Sequence, residues 1–484
     1  MTFLFCLMPS KRQMPKPTPE TVARMKAVVG AKGVVANDDA APYLEERRAL
    51  YRGRAAAVLR PASTEEVSAI LKIAHETGTA IVPQGGNTGL VGGQIPFESG
   101  EEVVLSLTRM NRIRALDAEN NTLAVDAGVT LAAAQAAAEE AGRLFPLSLA
   151  SEGSCQIGGN LATNAGGTAV LRYGNARELV LGLEVVMANG DVWDGMRGLR
   201  KDNTGYDLKQ IFLGSEGTLG IITGAVLKLF PRPQSLATAF AAVPDVAAAV
   251  KLLRVADSVS GGMVTAFELV PRIGLDFVTA HVEGAHDPLP DAAPWYVLIE
   301  MSAGSATADL DATLEAVLAE GLEQKLVSDA VLARSEAQRA DFWRLRETLS
   351  EVQRLEGGSI KHDVSVPVSR MAAFIAQATQ AVEAAMPGVR VVAFGHIGDG
   401  NVHFNLSQPV GADKAAFVAR WGEMNALVHA IVRAMGGSIS AEHGIGRLKR
   451  DEMAATKAPV EIAAMRALKQ ALDPKGILNP GKVV

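Results

Sequence analysis

Cysteine is almost absent: Cys6 and Cys155 are the only two in 484 residues, too few and too poorly spaced for a disulfide framework or a thiolate zinc site. A reducing, cytoplasmic compartment is the expectation. Basic excess is missing too. The 47 Lys and Arg stand against 53 Asp and Glu, for a formal net charge of -6, which argues against binding to nucleic acid or anionic lipid. No apolar run reaches the ~20 residues needed to cross a bilayer. The apolar opening Met1 to Met8 runs at once into Pro9, Ser10, Lys11 and Arg12 and has no basic region before it, so it does not read as an export signal. Neither G-x-G-x-x-G opening a βαβ unit nor Gly-Lys-Ser/Thr occurs, which weakens the Rossmann and P-loop routes to a nucleotide. Internal repeats and low-complexity tracts are lacking as well.

What is present is length enough for two or three cores and an α+β texture that changes along the chain. After a tail over residues 1–20, a region over 21–233 alternates short β-branched runs with glycine-rich loops. A second, over 234–435, mixes Ala- and Leu-rich helical patterns with strands such as Trp295 to Met301. A third, over 436–484, has a Gly-rich entry and a helix near Val460 to Leu472, and is expected to pack back on the first. Thr64 to Gly78 reads as a helix with Thr64 as N-cap and Val67, Ile70, Leu71 and Ala74 on one face. Ala80 to Pro83 reads as a strand that feeds a glycine loop.

That loop, Gln84 to Gly93, and a second one through Gly158-Gly159-Asn160 and Asn164-Ala165-Gly166-Gly167, leave backbone N–H groups uncovered and able to converge on phosphate oxygens. With Gly214-Ser215-Glu216-Gly217-Thr218-Leu219-Gly220, these motifs resemble the FAD-binding family typified by vanillyl-alcohol oxidase and p-cresol methylhydroxylase, over nearly the whole chain. The resemblance implies a two-subdomain FAD-binding fold over 21–233, an antiparallel-sheet-and-helix cap domain that takes the substrate, and a C-terminal helical segment. It implies that Pro83, Gln84, Gly85, Gly86, Asn87, Thr88 and Gly89 wrap the pyrophosphate. Gly158, Gly159, Asn160, Thr163, Asn164, Gly166 and Gly167 then run along the ribityl chain and flavin. Glu216, Gly217, Gly220, Ile221 and Ile222 lie near the adenine side, and Asn479 approaches the flavin ring. The first loop lacks the histidine through which some members bond flavin covalently, so non-covalent FAD is expected.

A second constellation is Phe394-Gly395-His396-Ile397-Gly398-Asp399-Gly400-Asn401-Val402-His403-Phe404-Asn405, two strands about a tight turn. Period two sends His403 and Asn405 to one face and Val402, Phe404 and Leu406 to the other. Glu442-His443 follows an expected small-residue strand, Ser438 to Ala441, on which neighbours point oppositely, so the two are not expected to share one ion. These segments resemble the D-2-hydroxyglutarate, D-lactate and glycolate dehydrogenase branch of the flavin family. The resemblance implies His396, His403 and Glu442 as ligands of zinc or another divalent metal, His443 as the base, and Asn405 as a substrate contact.

Oxidising a D-2-hydroxy acid needs cations for its carboxylate, and the resemblance assigns that task to Arg346, Ser350 and Lys361. Arg346 and Ser350 lie four apart on an expected helix. Ser350 departs from the threonine of the 2-hydroxyglutarate branch, which bears on substrate choice. The reading is therefore a dehydrogenase, with D-2-hydroxyglutarate favoured over D-lactate, D-malate or glycolate. Its electrons would pass to an acceptor such as electron-transfer flavoprotein, a quinone or a cytochrome, and a homodimer is allowed. Two other classes compete. A zinc hydrolase shares the His-His-Glu ligand set but leaves the glycine loops unexplained; a non-catalytic flavin-binding protein leaves His443 unexplained.

Overall fold

The helix Thr64–Thr77 buries Val67, Ile70, Leu71 and Ala74 completely, each of the larger three contributing about 1.5–3 kcal/mol by leaving water. Its N-cap is Ser63, whose hydroxyl accepts from Glu66 N, and not Thr64 as the sequence suggested; the Thr64 hydroxyl donates instead to Glu184 at 2.6 Å. Gly78, at φ 71°, closes the helix in the left-handed conformation that glycine adopts without a Cβ penalty. This helix is the crossover between the parallel strands Ala57–Leu59 and Ile81–Gln84, which both pair with Val103–Ser106. The computed structural model describes residues 15–484, so Cys6, the apolar opening and most of the expected tail lie outside the described residues.

An antiparallel five-stranded sheet follows, in the order Ile113–Asp117, Thr122–Asp126, Ile221–Lys228, Val180–Val186, Val192–Gly195. It shares one core with the parallel sheet, and Ile477 and Leu478 from the chain's end are fully buried in that core. Ile81 N donates to Ile477 O and Asn479 N to Ile81 O, both at 2.8 Å. The end of the chain thus docks beside the strand that feeds the first glycine loop.

The middle of the chain builds a four-stranded antiparallel sheet, ordered Val264–Pro271, Trp295–Ala303, Ser235–Val243, Asp329–Leu332. Helices Val246–Ser260 and Leu310–Glu323 contribute to the core on one side of it, each capped by the aspartate that precedes it, Asp245 and Asp309. Phe240, Tyr296 and Phe342 pack in a second core. A smaller sheet joins the strands Arg390–Phe394 and Asn401–Ser407 as an antiparallel hairpin, with Ser359–Ile360 and Asp363–Ser365 on the other edge of Asn401–Ser407. The two sheets meet where Leu269 and Gly395 exchange backbone hydrogen bonds of 2.9 and 3.1 Å. That junction sets the turn of the hairpin against the strand Val264–Pro271. The α+β class and the antiparallel-sheet-and-helix cap expected from the sequence are observed. The expected strand Ser438 to Ala441 is absent: it is a loop with a single bridge from Ser438 to Ser365.

Candidate active site

The glycine loops, the hairpin turn and the loop 438–446 together line one cavity of about 1100 Å³, larger than the ~300–1,000 Å³ of an ordinary small-ligand pocket. Close approach explains two of the glycines. A Cβ on Gly86 would lie 1.8 Å from Ser154 O, so only glycine lets the first loop touch the segment leading into the second. A Cβ on Gly166 would come 2.7 Å from Glu442 Oε1. By contrast, a Cβ on Gly159 would meet nothing within 4 Å, so bare backbone faces the cavity there.

All the expected cofactor residues line this cavity except Asn164. Asn164 closes the helix Ile157–Thr163 at φ 52°, and its Oδ1 accepts from Arg177 N at 3.0 Å. Several of the others spend their side chains on the protein. Gln84 Nε2 donates to the carbonyls of Tyr43 and Gln94; Asn87 Nδ2 donates to those of Pro42 and Glu45. Asn479 Nδ2 holds Gly93 O and Glu216 O. Glu216 is half-buried, its desolvation raises its pKa, and its carboxylate accepts from Ile445 N at 2.7 Å and Gly446 N at 2.8 Å. These side chains therefore fix loops whose backbones shape the wall.

His396, His403 and Glu442 converge. His396 Nε2 lies 3.8 Å from Glu442 Oε1, and His403 Nε2 lies 4.0 Å from Glu442 Oε2. One donor atom from each of the three lies within 4.8 Å of the other two, close to the span of about 4.2 Å open to two donors that are each about 2.1 Å from one ion, so small side-chain adjustments would let the set hold a divalent cation. Glu442 Oε1 also accepts from Gly167 N at 2.8 Å, which ties the triad to the second glycine loop. Because residues 438–446 form no strand, the alternation expected to separate Glu442 from His443 does not apply. Both line the cavity, and Asp363, Glu442 and His443 bring one donor atom each within 4.8 Å of one another. Asp363 is buried; its Oδ2 accepts from Glu442 N at 2.9 Å and His443 N at 3.0 Å and lies 3.4 Å from His443 Nδ1. Burial lowers the His443 pKa, with Asp363 opposing part of that shift. The shift favours the neutral imidazole.

Arg346, Ser350, Lys361 and Asn405 line the same cavity. The helix expected to carry Arg346 and Ser350 is interrupted at Thr348, between Glu336–Glu347 and Leu349–Val352. Lys361 Nζ donates to Ser350 O at 2.9 Å. Burial, then Arg48 and Arg354, pull the lysine pKa down to about 8. Asn405 is engaged by the protein at both ends, accepting from His362 N and donating to Gln353 Oε1. Arg346 pairs with neither Glu347 nor Glu351 of its own segment: its Nε donates to Glu268 Oε2 at 2.6 Å.

Three residues of this site escaped the sequence reading. Glu268 is the lone charge in the eight-residue buried strand Val264–Pro271, and an acid inside an apolar run must find a partner; that signal was there to be read. Asp363 sits two residues after Lys361 with no pattern to mark it. Arg48 lines the cavity from the tight turn 46–50, where the Glu46 carboxylate accepts from the backbone N–H of Arg48 and Leu50 and Ala49 takes φ 56°. Nothing local announces it.

Residues 232–483, more than half of the chain, match the family described as FAD linked oxidases, C-terminal domain, and residues 55–195 match the FAD binding domain. The chain belongs to the FAD-linked oxidases. Among its relatives in this family is the mitochondrial D-2-hydroxyglutarate dehydrogenase of Arabidopsis thaliana, 39% identical over 96% of this chain and 81% of that protein. A D-2-hydroxyglutarate dehydrogenase of Xanthomonas citri pv. viticola is 41% identical over 88% of this chain and 89% of that protein. A p-cresol methylhydroxylase structure superposes with a TM-score of 0.75 at 19% identity, over 96% of each chain, and shows the same fold. The resemblance carried by the glycine motifs therefore holds.

As an FAD-linked oxidase with an FAD-binding domain, the chain takes FAD as its cofactor and is an oxidoreductase. The cavity wall suits a flavin nucleotide. Gly159 leaves backbone bare, and beside Gly85 the buried Oε1 of Gln156 has no protein partner among the described residues. Among the described residues, no helix is long and apolar enough to cross a membrane.

Proposed function

We propose that this FAD-linked oxidase oxidises D-2-hydroxyglutarate to the 2-oxo acid, with a divalent metal, zinc in our reading, held by His396, His403 and Glu442. The observation that carries the proposal is that one cavity is lined by the glycine loops, the His-His-Glu triad and the cations Arg346 and Lys361. The relatives that bear the D-2-hydroxyglutarate dehydrogenase name support the substrate. Ser350 keeps a hydroxyl where that branch has threonine but lacks its methyl, a departure that bears on pocket width and substrate choice.

When bound, FAD supplies the two-electron acceptor that no side chain provides. A divalent cation in the triad would supply Lewis acidity toward the substrate hydroxyl. The remaining tasks fall to the protein. Arg346 and Lys361 bind carboxylate, the arginine through the Nη groups that Glu268 leaves free. Ser350 and the second amide hydrogen of Asn405 orient the substrate beside them. Asp363, beside His443 Nδ1, favours the tautomer protonated there, so that Nε2 accepts the hydroxyl proton as the hydride leaves C2. The electrons then pass to a carrier such as electron-transfer flavoprotein, a quinone or a cytochrome. The plant and cattle relatives are named as mitochondrial proteins; for this chain, scarce cysteine supports a reducing compartment, the cytoplasm in our reading.

The test is anaerobic mixing of the FAD-loaded protein with D-2-hydroxyglutarate, D-malate, D-lactate and glycolate, before and after chelation. Loss of the visible flavin absorbance is expected to be fastest with D-2-hydroxyglutarate and to fall at least about 100-fold on verified metal removal. Faster reduction by D-lactate overturns the substrate, and undiminished reduction without metal overturns the metal.

A further inference from the structure

Glu268 has both carboxylate oxygens committed to different parts of the candidate site. Oε1 lies 2.7 Å from His396 Nδ1, 128 positions away in sequence, and Oε2 accepts from Arg346 Nε at 2.6 Å, 78 positions away. The side chain is 1% exposed, so no water competes for either oxygen. Its strand is held against the hairpin by the two Leu269–Gly395 backbone hydrogen bonds, which leaves the carboxylate little freedom to move. The Arg346 guanidinium is fixed on a second side by the Phe394 ring, 4.9 Å from its centroid.

We propose that Glu268 is a positioning residue that orients the metal-binding imidazole of His396 and the carboxylate-binding guanidinium of Arg346 at once. The proposal rests on the reading of His396 as a metal ligand and Arg346 as a substrate contact. With Oε1 as acceptor, His396 Nδ1 carries a hydrogen, which leaves Nε2 as the nitrogen a metal ion would take, on the side of Glu442, 3.8 Å away. With Oε2 as acceptor, the Arg346 fork is turned so that its Nη groups remain for an anion. A purely structural role, neutralising a buried arginine, needs the second contact and not the first. Replacement by glutamine keeps the shape but presents one NH₂. Turned to His396, it reverses the hydrogen bond and favours the tautomer with a protonated Nε2; turned to Arg346, it opposes donor to donor.

The experiment uses the FAD-loaded full chain. Zn²⁺ affinity is measured without substrate, by competition with a chelating dye, in the parent and in Glu268→Gln. Binding of 2-oxoglutarate to the metal-free proteins is followed through the flavin spectrum. Weakening of Zn²⁺ by about 10–100-fold is expected, with weaker 2-oxoglutarate binding. Because an unpaired Arg346 could unfold Glu268→Gln, Arg346→Met and Glu268→Gln/Arg346→Met form a second pair without the buried cation, and the same 10–100-fold difference in Zn²⁺ affinity is expected between them. Equal Zn²⁺ affinity within that pair, or between the parent and a folded Glu268→Gln, overturns the proposal while the metal reading stands. A parent that binds no Zn²⁺ sinks the metal reading, and the proposal with it.

Discussion

Replacing Asp363 by alanine should open the loop that carries Glu442 and His443. The carboxylate accepts three hydrogen bonds, from Glu442 N, His443 N and Asn401 Nδ2, at 2.9, 3.0 and 3.0 Å. Bonds to a charged acceptor are worth about 1.5–3 kcal/mol each, and the three donors left behind also lose their partner. Non-additivity keeps the total near the 3–5 kcal/mol typical of breaking a buried charged pair. A chain with more than one core need not unfold in two states, so the assay is hydrogen exchange at the amides of Glu442 and His443. Local opening there should rise at least about 100-fold, the equivalent of roughly 3 kcal/mol. Asp363→Asn should fall between, because an amide oxygen still serves one side. Burial raises the Asp363 pKa, but the Lys449 ammonium and, once it is protonated in acid, His443 outweigh that and hold the carboxyl below the ordinary carboxylate range. A depressed folded-state pKa means the stability is fully present above the unfolded value of about 4 and lost as pH falls through the folded one. The gap between parent and alanine variant should therefore be constant from about pH 5 to 8 and shrink below about pH 4. Exchange unchanged at both amides in Asp363→Ala would refute the reasoning.

Two further outcomes follow from the cations. With Lys361 lowered to about 8, kcat/KM for D-2-hydroxyglutarate should fall as pH rises through that value and the ammonium loses its charge; Lys361→Met should abolish that limb of the pH profile, and an alkaline limb retained in the variant would assign it to another group. Arg48→Ala should raise KM for D-2-hydroxyglutarate about tenfold while leaving D-lactate nearly unchanged, since only the dicarboxylate has a second anion to place against it. Equal losses for the two substrates would show that Arg48 merely supports the turn 46–50.

The glycine motifs were legible because what they do is local. Bare backbone after a strand is a property of a few consecutive residues, and Gly159 behaves as such a pattern implies. The hairpin was legible for the same reason, since period two alone sorts Val402, Phe404 and Leu406 into the core away from His403. The reading failed where local rules met tertiary demands. Ser63 took the cap assigned to Thr64, whose hydroxyl goes to Glu184, and the segment after Gly437 gave up its strand. There, Glu442 and His443 turn their backbone N–H groups to Asp363 in place of a neighbouring strand.

The sequence by itself determined the FAD-binding character of the chain, its α+β class and the identity of the candidate ligands, because each is written in contiguous residues. Tertiary structure alone decided what those residues touch. Gly167 meets Glu442 across 275 positions, Glu216 meets Ile445 across 229, and Glu268 meets His396 across 128. Periodicity and motif spacing act over a few turns or strands; these contacts depend on how the glycine loops, the cap sheets and the C-terminal loop pack together. Glu268 and Arg48 belong to the site only through that packing.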